Sequence, residues 1–523
     1  MSKNFSIRRT LLQVERFGVS SAALTRLSLF LNRLVSGNLE DPPLISATAE
    51  RRGSEKILSD FDGIFERNKQ ILNENLLKIE LDQRGKYGSR SSAKPWVDVK
   101  TSTLATFDKS TISSLPKPLT AAGNRSNRLR AFSLPKVIPL IKNMTNSGLK
   151  DMVPKGNIKD KYLSESYLME ELRLNLPCVP FIRTQEMLKT RVVWGFPICQ
   201  VIYEGTLFYP LLVFAKSINW LKALIGPVEV DDFVVNQVKE CFNSGGLLMS
   251  IDFSNYDTSV KKELQGLAFH YFRSLFQRGE SDKFDLIEER FSNIPLVTPD
   301  GIIEGEHGIP SGSAFTNIVG SIVQATVALD SGLVDEEKFQ VLGDDGIYCL
   351  PDERSAQELI SRFEACGLIV NESKSYRSTE YCVYLQKLYD IYYIERGVNG
   401  GIYPVYRALN RIVHPERFVD FGKFSIAGKD YFSIRTLSIL ENCKYHPMFE
   451  ELTKFVLSLD KYNLQFSDQS LSRFIEMTEK REGVADIIRN QYGDDLKGIR
   501  DFESYKLVKK LMSGELTSCG KMG

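Results

Sequence analysis

Two short apolar runs, residues 339–342 and 347–350, flank Gly343-Asp344-Asp345-Gly346, and few folds accommodate that pattern. Each run is too short for a helix, and the glycines permit a tight reversal, so the segment is expected to be a β-hairpin with two adjacent carboxylates at its tip. Like charges a few ångströms apart raise one another's pKa unless a cation compensates. A divalent ion answers that need, since Mg²⁺ takes one or two carboxylates together with substrate phosphates. Asp and Gly are also ordinary turn residues that merely solvate a loop, so context has to decide.

The context is a third carboxylate on a second strand. Residues 246–253 (GLLMSIDF) form a strand-like run ending at Asp252, with Asp257 five residues on and a helix-length segment, 258–276, behind it. Residues 307–313 (HGIPSGS) must be a loop, and 314–329 is apolar and helix-length. Strands and helices thus alternate from about residue 230 to 405, which places an α+β catalytic core there. The chain is helical in texture before residue 80 and after 410, and looser between 85 and 160, where Gly, Ser and Pro collect. Residues 399–401 (Asn-Gly-Gly) read as a further hairpin turn.

Composition narrows the chemistry. The eight cysteines form no CxxC pair and the four histidines no HExxH motif, so any metal is expected on oxygen ligands. Charged residues interrupt the first 35 residues, against an export signal, and no run of about 18 uncharged apolar residues is expected to span a bilayer, the candidate 208–215 being too short. An intracellular, soluble protein is the expectation. The net charge of +1 hides an asymmetry. Between Arg84 and Lys142 stand twelve basic residues (Arg84, Lys86, Arg90, Lys94, Lys100, Lys109, Lys117, Arg125, Arg128, Arg130, Lys136 and Lys142) against Asp98 and Asp108. Such a stretch suits either a polyanion backbone or a solvated surface.

Residues 250–257 (SIDFSNYD), 308–317 (GIPSGSAFTN) and 342–346 (LGDDG) resemble, in order, palm motifs A, B and C of viral RNA-dependent RNA polymerases. That resemblance implies a right-hand fold of fingers, palm and thumb, with an antiparallel palm sheet flanked by helices. It also implies template-directed addition of ribonucleotides to an RNA 3′-OH with two Mg²⁺ or Mn²⁺ ions. By matching position, Asp252 and Asp344 are the implied metal ligands and Asp345 a supporting one. Asp257, Ser311, Gly312, Thr316 and Asn317 are implied around the incoming nucleotide, whose ribose 2′-OH separates RNA from DNA. The family often has Asn or Asp four residues after Thr316, where this chain has Gly320, and Asn317 or Ser321 is the expected substitute.

Residues 189–197 (KTRVVWGFP) resemble motif F, and a strand there would turn Lys189 and Arg191 to one side, toward the triphosphate, for which Arg geometry is the better suited. Residues 368–374 are similar to motif D, which makes Lys374 a candidate proton donor to pyrophosphate. Residues 384–387 stand where motif E, the primer grip, belongs. The wording of these motifs is most similar to the polymerases of picobirnaviruses, with partitiviruses next.

The resemblance divides the chain into an N-terminal region and fingers (1–230), a first part of the palm with motif A (231–275), a fingers insertion (276–300), the rest of the palm (301–405), and a thumb with C-terminal tail (406–523). The partners it implies are RNA template and nascent RNA, ribonucleoside triphosphates and the viral capsid protein, with a monomer working in the virion interior and host cytoplasm away from membranes. A thumb loop or residues 513–523 could fill the cavity as an initiation platform. Two alternatives compete. A reverse transcriptase typically has an aromatic residue before its Asp pair and an aromatic gate where this chain has Asp257. A non-catalytic RNA-binding or capsid-associated protein, its acidic turn holding Ca²⁺, would not need the Asp252 strand, the Ser-Gly loop and the basic 189–191 segment together.

Overall fold

The computed structural model describes residues 2–38, 44–120, 128–482 and 496–514. Helices α1 (Ser2–Glu15), α2 (Ser21–Ser36), α3 (Ser54–Asn68), α4 (Glu74–Gly85) and α5 (Trp96–Leu104) open the chain. Their limits follow from local chemistry. Ser20 accepts from the Ala23 N–H to start α2, and Gly37, at φ 68°, ends it in a conformation that a side chain disfavours. Short α6 (Leu134–Val137) and α7 (Glu165–Arg173) lead to the hairpin β1 (Val179–Thr184) and β2 (Thr190–Gly195), then to α8 (Ile198–Ala215). Helix α8 is longer than the apolar run suggested, and by length and composition it could cross a membrane. It is nonetheless a core helix, with Ile202, Glu204 and Leu207 fully buried.

The central segment runs through α9 (Pro227–Asn243), β3 (Leu247–Ile251), α10 (Tyr256–Ser259), α11 (Lys262–Leu275), α12 (Ser281–Asn293), β4 (Leu296–Thr298) and β5 (Gly301–Ile303). It continues as α13 (Thr316–Asp330), β6 (Phe339–Leu342), β7 (Asp345–Leu350), α14 (Glu353–Ala365), β8 (Tyr376–Ser378), β9 (Tyr381–Tyr384) and β10 (Lys387–Asp390). The last helices are α15 (Ile391–Ile394), α16 (Val405–Val413), α17 (Gly428–Glu441), α18 (Phe449–Leu459), α19 (Asp468–Glu482) and α20 (Glu503–Ser513).

The sheet that matters is antiparallel, in the order β6-β7-β3-β8. Alternation along its strands sends residues to opposite faces. Leu248 and Ile347 pack with Val230, Val234 and Val238 of α9. Their neighbours Met249 and Tyr348 turn the other way, into a core with Ile322 of α13 and Phe363 of α14. Buried on both faces, the sheet cannot slip by one residue without sending its core side chains to the wrong side.

Two expectations are corrected. Residues 399–401 are not a hairpin turn between strands: α15 intervenes, and a single bridge joins Leu388 to Ile402. The glycines serve close packing, since a Cβ on Gly400 would lie 2.2 Å from the Tyr445 ring and one on Gly401 2.5 Å from Tyr389. Nor do the N-terminal helices form one unit. α1 and α2 share a core with β1, α8 and α13, whereas Phe61 and Phe65 of α3 and Leu76 of α4 pack with Tyr406, Leu409, Leu437 and Val456 near the C-terminus.

Glu80 of α4 ties that second core together. Its carboxylate is fully buried, accepts from the N–H groups of Val405 (2.7 Å) and Tyr406 (3.1 Å) at the start of α16, and lies 2.9 Å from His446 Nε2. Negative charge there complements the exposed amides of a helix N-terminus. Glu80→Ala leaves those donors buried without partners, at a cost of about 2 to 4 kcal/mol. A thermal midpoint lower by several degrees is expected, and an unchanged midpoint would contradict this role for Glu80.

Candidate functional site

The β3–β7 register builds the acidic centre. Ile251 pairs with Gly346, so Asp252, one residue beyond β3, emerges beside Asp345 at the start of β7. Leu342 pairs with Asp345, which makes Gly343-Asp344 a two-residue turn, with Gly343 at φ 65° in the position that favours glycine. Asp344 is the exposed tip and Asp345 lies half-buried in the strand. The expected pair of carboxylates is therefore split between turn and strand.

Mutual repulsion is evident. Burial, then Asp344 and Asp252, push the Asp345 carboxyl up to about 7. Asp252 is raised by burial and by Asp344, and held back by Lys374, Lys189 and a hydrogen bond from Asn371. Asp257 is exposed, yet its carboxyl is closely surrounded by protein atoms. Its carboxyl is raised to about 7 by that enclosure and by Asp344, against the pull of Arg191.

Helix α13 fixes the turn from below. Ser321 Oγ accepts from the Gly343 N–H at 2.8 Å, and Gln324 Nε2 donates to the Asp344 carbonyl at 3.1 Å while its Oε1 accepts from the Tyr348 hydroxyl at 3.0 Å. Gly320 precedes Ser321 on the same helix. A Cβ there would be 3.2 Å from the Tyr256 ring and 3.3 Å from Gly343 Cα, so even Ala requires its neighbours to give by a few tenths of an ångström and the family's larger Asn requires more. Ser321 is committed to the turn, which leaves Asn317, exposed and adjacent to Gly343, as the polar group of this helix beside the turn. Gln324 was missed as a site residue, and Ser321, expected as a substitute for the family's Asn, holds the turn instead. Their signal was a polar stripe, Asn317, Ser321 and Gln324, at helical spacing on an otherwise apolar helix.

The cations converge on the same place. Lys189 stands in the turn before β2 rather than on the strand, exposed beside Arg191, and its ammonium is pushed down by burial, by Arg191 and by Lys374 while Asp252 and Asp344 draw it up. Lys374 is exposed on a segment that closes back onto Asp252, where the Asn371 N–H donates to the Asp252 carbonyl (2.7 Å) and the Asp252 N–H to Ser375 Oγ (3.1 Å). Asn371 and Ser375 are further residues that sequence reasoning passed over.

The loop before α13 carries the rest. Ser311 is exposed, and its Oγ accepts from the Trp194 N–H of β2 at 3.2 Å. Gly312 is pressed so closely on that strand that a Cβ would fall 1.7 Å from the Trp194 carbonyl. Thr316 spends its hydroxyl on the carbonyls of Pro310 (2.7 Å) and Ser313 (3.0 Å), holding the loop instead of facing the cavity.

Other candidates have structural employment. Lys387 pairs with buried Asp231 at 3.1 Å, and Asp231 also accepts from Tyr389 and the Gly401 N–H, so this lysine anchors the β9–β10 hairpin. His307 has both ring nitrogens near carbonyl oxygens, and burial drives its pKa down to about 4. In the basic stretch, Arg84, Lys86, Arg90 and Lys100 pair with Asp62, Asp82, Glu186 and Asp300. Arg125 lies outside the described residues.

The donors suit hard divalent ions. They are oxygen-only and electrostatically overloaded with negative charge, a condition a cation relieves. Among the described residues no three side chains gather closely enough to hold a metal by themselves. Two carboxylates, Asp252 and Asp344, completed by phosphate oxygens, match the way Mg²⁺ is usually held.

Comparison with known proteins places the chain's sequence and fold beside polymerases. The family model described as viral RNA-dependent RNA polymerase matches residues 184–391. A potential RNA-dependent RNA polymerase of human picobirnavirus is 29% identical over 423 residues, covering 74% of this chain and 77% of that one. The RNA-directed RNA polymerase of Cryptosporidium parvum virus 1 is 30% identical over 214 residues, 37% of this chain and 39% of its own. The crystal structure of the RNA-dependent RNA polymerase of a human picobirnavirus superposes with TM-score 0.75 at 23% identity, covering 92% of this chain and 96% of that one. The fold is the right-hand polymerase fold, and the sequence is similar to viral RNA-dependent RNA polymerases, those of double-stranded RNA viruses among them.

Gly320→Ala should push the Gly343 turn and with it Asp344. Activity is expected to fall by about tenfold or more with the thermal midpoint little changed, and a fully active variant would contradict the packing argument. A pH effect follows from Asp345, whose folded pKa of about 7 lies above its ordinary 3.8. The folded state binds more protons in that interval, so metal-free stability falls as pH rises from about 4 to about 7, and Asp345→Asn flattens the fall. Thermal midpoints in chelator measure this. Added Mg²⁺ needs ionised carboxylates, so its stabilisation should grow with pH over the same range.

Proposed function

From the premise that this chain is an RNA-directed RNA polymerase of the viral kind, a nucleotidyltransferase, we propose that it replicates and transcribes a viral RNA genome by two-metal-ion nucleotidyl transfer. The observation that carries the reading is the convergence of Asp252 and Asp344 with Lys189, Arg191 and Lys374 within electrostatic reach of one another. Acid alone would bind cations, and base alone would bind phosphate. Together they suit a metal-bound triphosphate.

Asp252 and Asp344 hold the ions, and Asp345 supports them from the strand. When bound, divalent ions lower the pKa of the RNA 3′-OH and neutralise charge on the phosphates. Arg191 and Lys189 sit on the approach to those carboxylates and take the β- and γ-phosphate oxygens, Arg191 in the bidentate manner of a guanidinium. Asp257, Ser311 and Asn317 surround the ribose. Asp257, with its raised pKa, offers the 2′-OH either an acceptor or a donor, so a deoxyribose leaves a polar group unpartnered. Lys374 is close enough to Asp252 to donate a proton to the departing pyrophosphate.

We assign the fingers to residues 1–230 and 276–300, the palm to 231–275 and 301–405, and the thumb to 406–523. Two adjustments follow from the packing: α3 and α4 join the thumb, and the insertion extends past residue 300, since β4 pairs with β5 across it. The proposed setting is the virion interior and host cytoplasm, with RNA, ribonucleotides and capsid protein as partners of a monomer. Of the proposed tail platform, residues 513–523, Ser513 and Gly514 end α20 and residues 515–523 lie outside the described residues.

Primer extension with the full chain on an RNA template-primer and Mg²⁺ or Mn²⁺ tests the reading. Ribonucleotide incorporation is expected, deoxyribonucleotide incorporation should be weaker by orders of magnitude, and Asp344→Ala should abolish both. Synthesis by Asp344→Ala at the wild-type rate would reject the assignment. Preference for deoxyribonucleotides would favour the reverse-transcriptase alternative.

A further inference from the structure

We propose that Glu204, on the core helix α8, is a positioning residue that sets how the loop before α13 presents Ser311 and Asn317 to the sugar of the incoming nucleotide. The proposal rests on the polymerase reading above, and nothing in the motifs points to Glu204.

The Glu204 carboxylate is fully buried. One of its oxygens, Oε2, accepts from Ser313 Oγ at 2.9 Å and from the Ala314 N–H at 2.8 Å, and Oε1 accepts from Gln200 Nε2 at 3.3 Å. Ser313 Oγ in turn accepts from the Phe315 N–H at 3.1 Å, so the last turn before α13 is organised around one carboxylate. The opposite side of the loop is fastened to β2 through Ser311, Gly312 and Trp194. Two clamps, one on each side, leave the loop a single path.

A carboxylate is an expensive way to fill a core position, since an apolar side chain would avoid its desolvation. Burial pushes its pKa up to about 7, with Arg290 and Lys155 the cations that face it and Cys178 nearby. What it supplies is a double acceptor aimed at two successive loop donors. Asp252 and Asp344 do not depend on it, because β3, β7, Ser321 and Gln324 hold them. Loosening the loop should therefore affect the sugar more than the chemical step.

Three variants of the full chain separate this from a packing role. Glu204→Gln keeps an acceptor oxygen for Ser313 and Ala314, and with the Gln200 amide turned over its new N–H donates to Gln200 Oε1, a buried acceptor with no partner among the described residues. Ser313→Ala removes the hydroxyl that donates to Glu204 and accepts from the Phe315 N–H while leaving the Ala314 N–H bond, and Glu204→Ala removes both loop bonds to the carboxylate. Single-nucleotide incorporation with ribo- and deoxyribonucleoside triphosphates is measured alongside thermal midpoints. Glu204→Ala and Ser313→Ala are expected to raise the ribonucleotide KM and lower the ribo-over-deoxyribo preference by about tenfold, the value of one hydrogen bond to a charged group. The kcat should change little, and Glu204→Gln should stay near wild type. An unchanged preference in Ser313→Ala overturns the proposal, as does a fall in kcat with KM and preference intact, or Glu204→Gln behaving like Glu204→Ala. Absence of incorporation by the wild-type chain instead removes the polymerase reading on which it stands.

Discussion

Carboxylates that repel one another must be forced together by something stronger than their repulsion, and here the force is the register of an antiparallel sheet. Ile251 opposite Gly346 and Leu342 opposite Asp345 leave no freedom in where Asp252 and Asp344 emerge. The sheet holds that register because both of its faces are buried, against α9 on one side and α13 and α14 on the other. Slippage would expose apolar side chains along every strand, a larger loss than the electrostatic strain it would relieve. The acidic centre is thus a consequence of hydrophobic packing.

The same logic governs the residues around it. α13 contributes apolar side chains to the core and also a polar stripe, whose Ser321 and Gln324 immobilise the Gly343-Asp344 turn. The loop before it is pinned between β2 and α8, so elements far apart in sequence share control of one cavity wall. Backbone carbonyls and amides do much of this work, and a motif comparison records none of it.

Some expectations were legible and others were not. The hairpin, the strand leading to Asp252 and helices such as α18, within the stretch read as helical after residue 410, are local: short apolar runs, periodicity and turn glycines define them without reference to the rest of the chain. Thr316 and Lys387 show the opposite case. Both have residue types suited to substrate contact, yet their polar atoms are committed to Pro310 and Asp231, partners that no sequence spacing reveals. The α3–α4 pair reads as part of an N-terminal helical region, but its apolar face is complementary to helices more than three hundred residues away.

From the sequence alone one could determine the chemical identity of the centre, two Asp-bearing strands with basic residues upstream and downstream, because charge and local propensity are properties of the residues themselves. Only the tertiary structure decided which of those residues face the cavity. Gly320 is the clearest instance. Within the sequence it is a gap where a polar residue was expected, and within the fold it is a close fit against Tyr256 and Gly343 that any side chain would crowd, with Asn317 placed beside the turn instead. Side-chain roles of that kind depend on which donor, acceptor or atom surface arrives opposite, and long-range packing alone sets that.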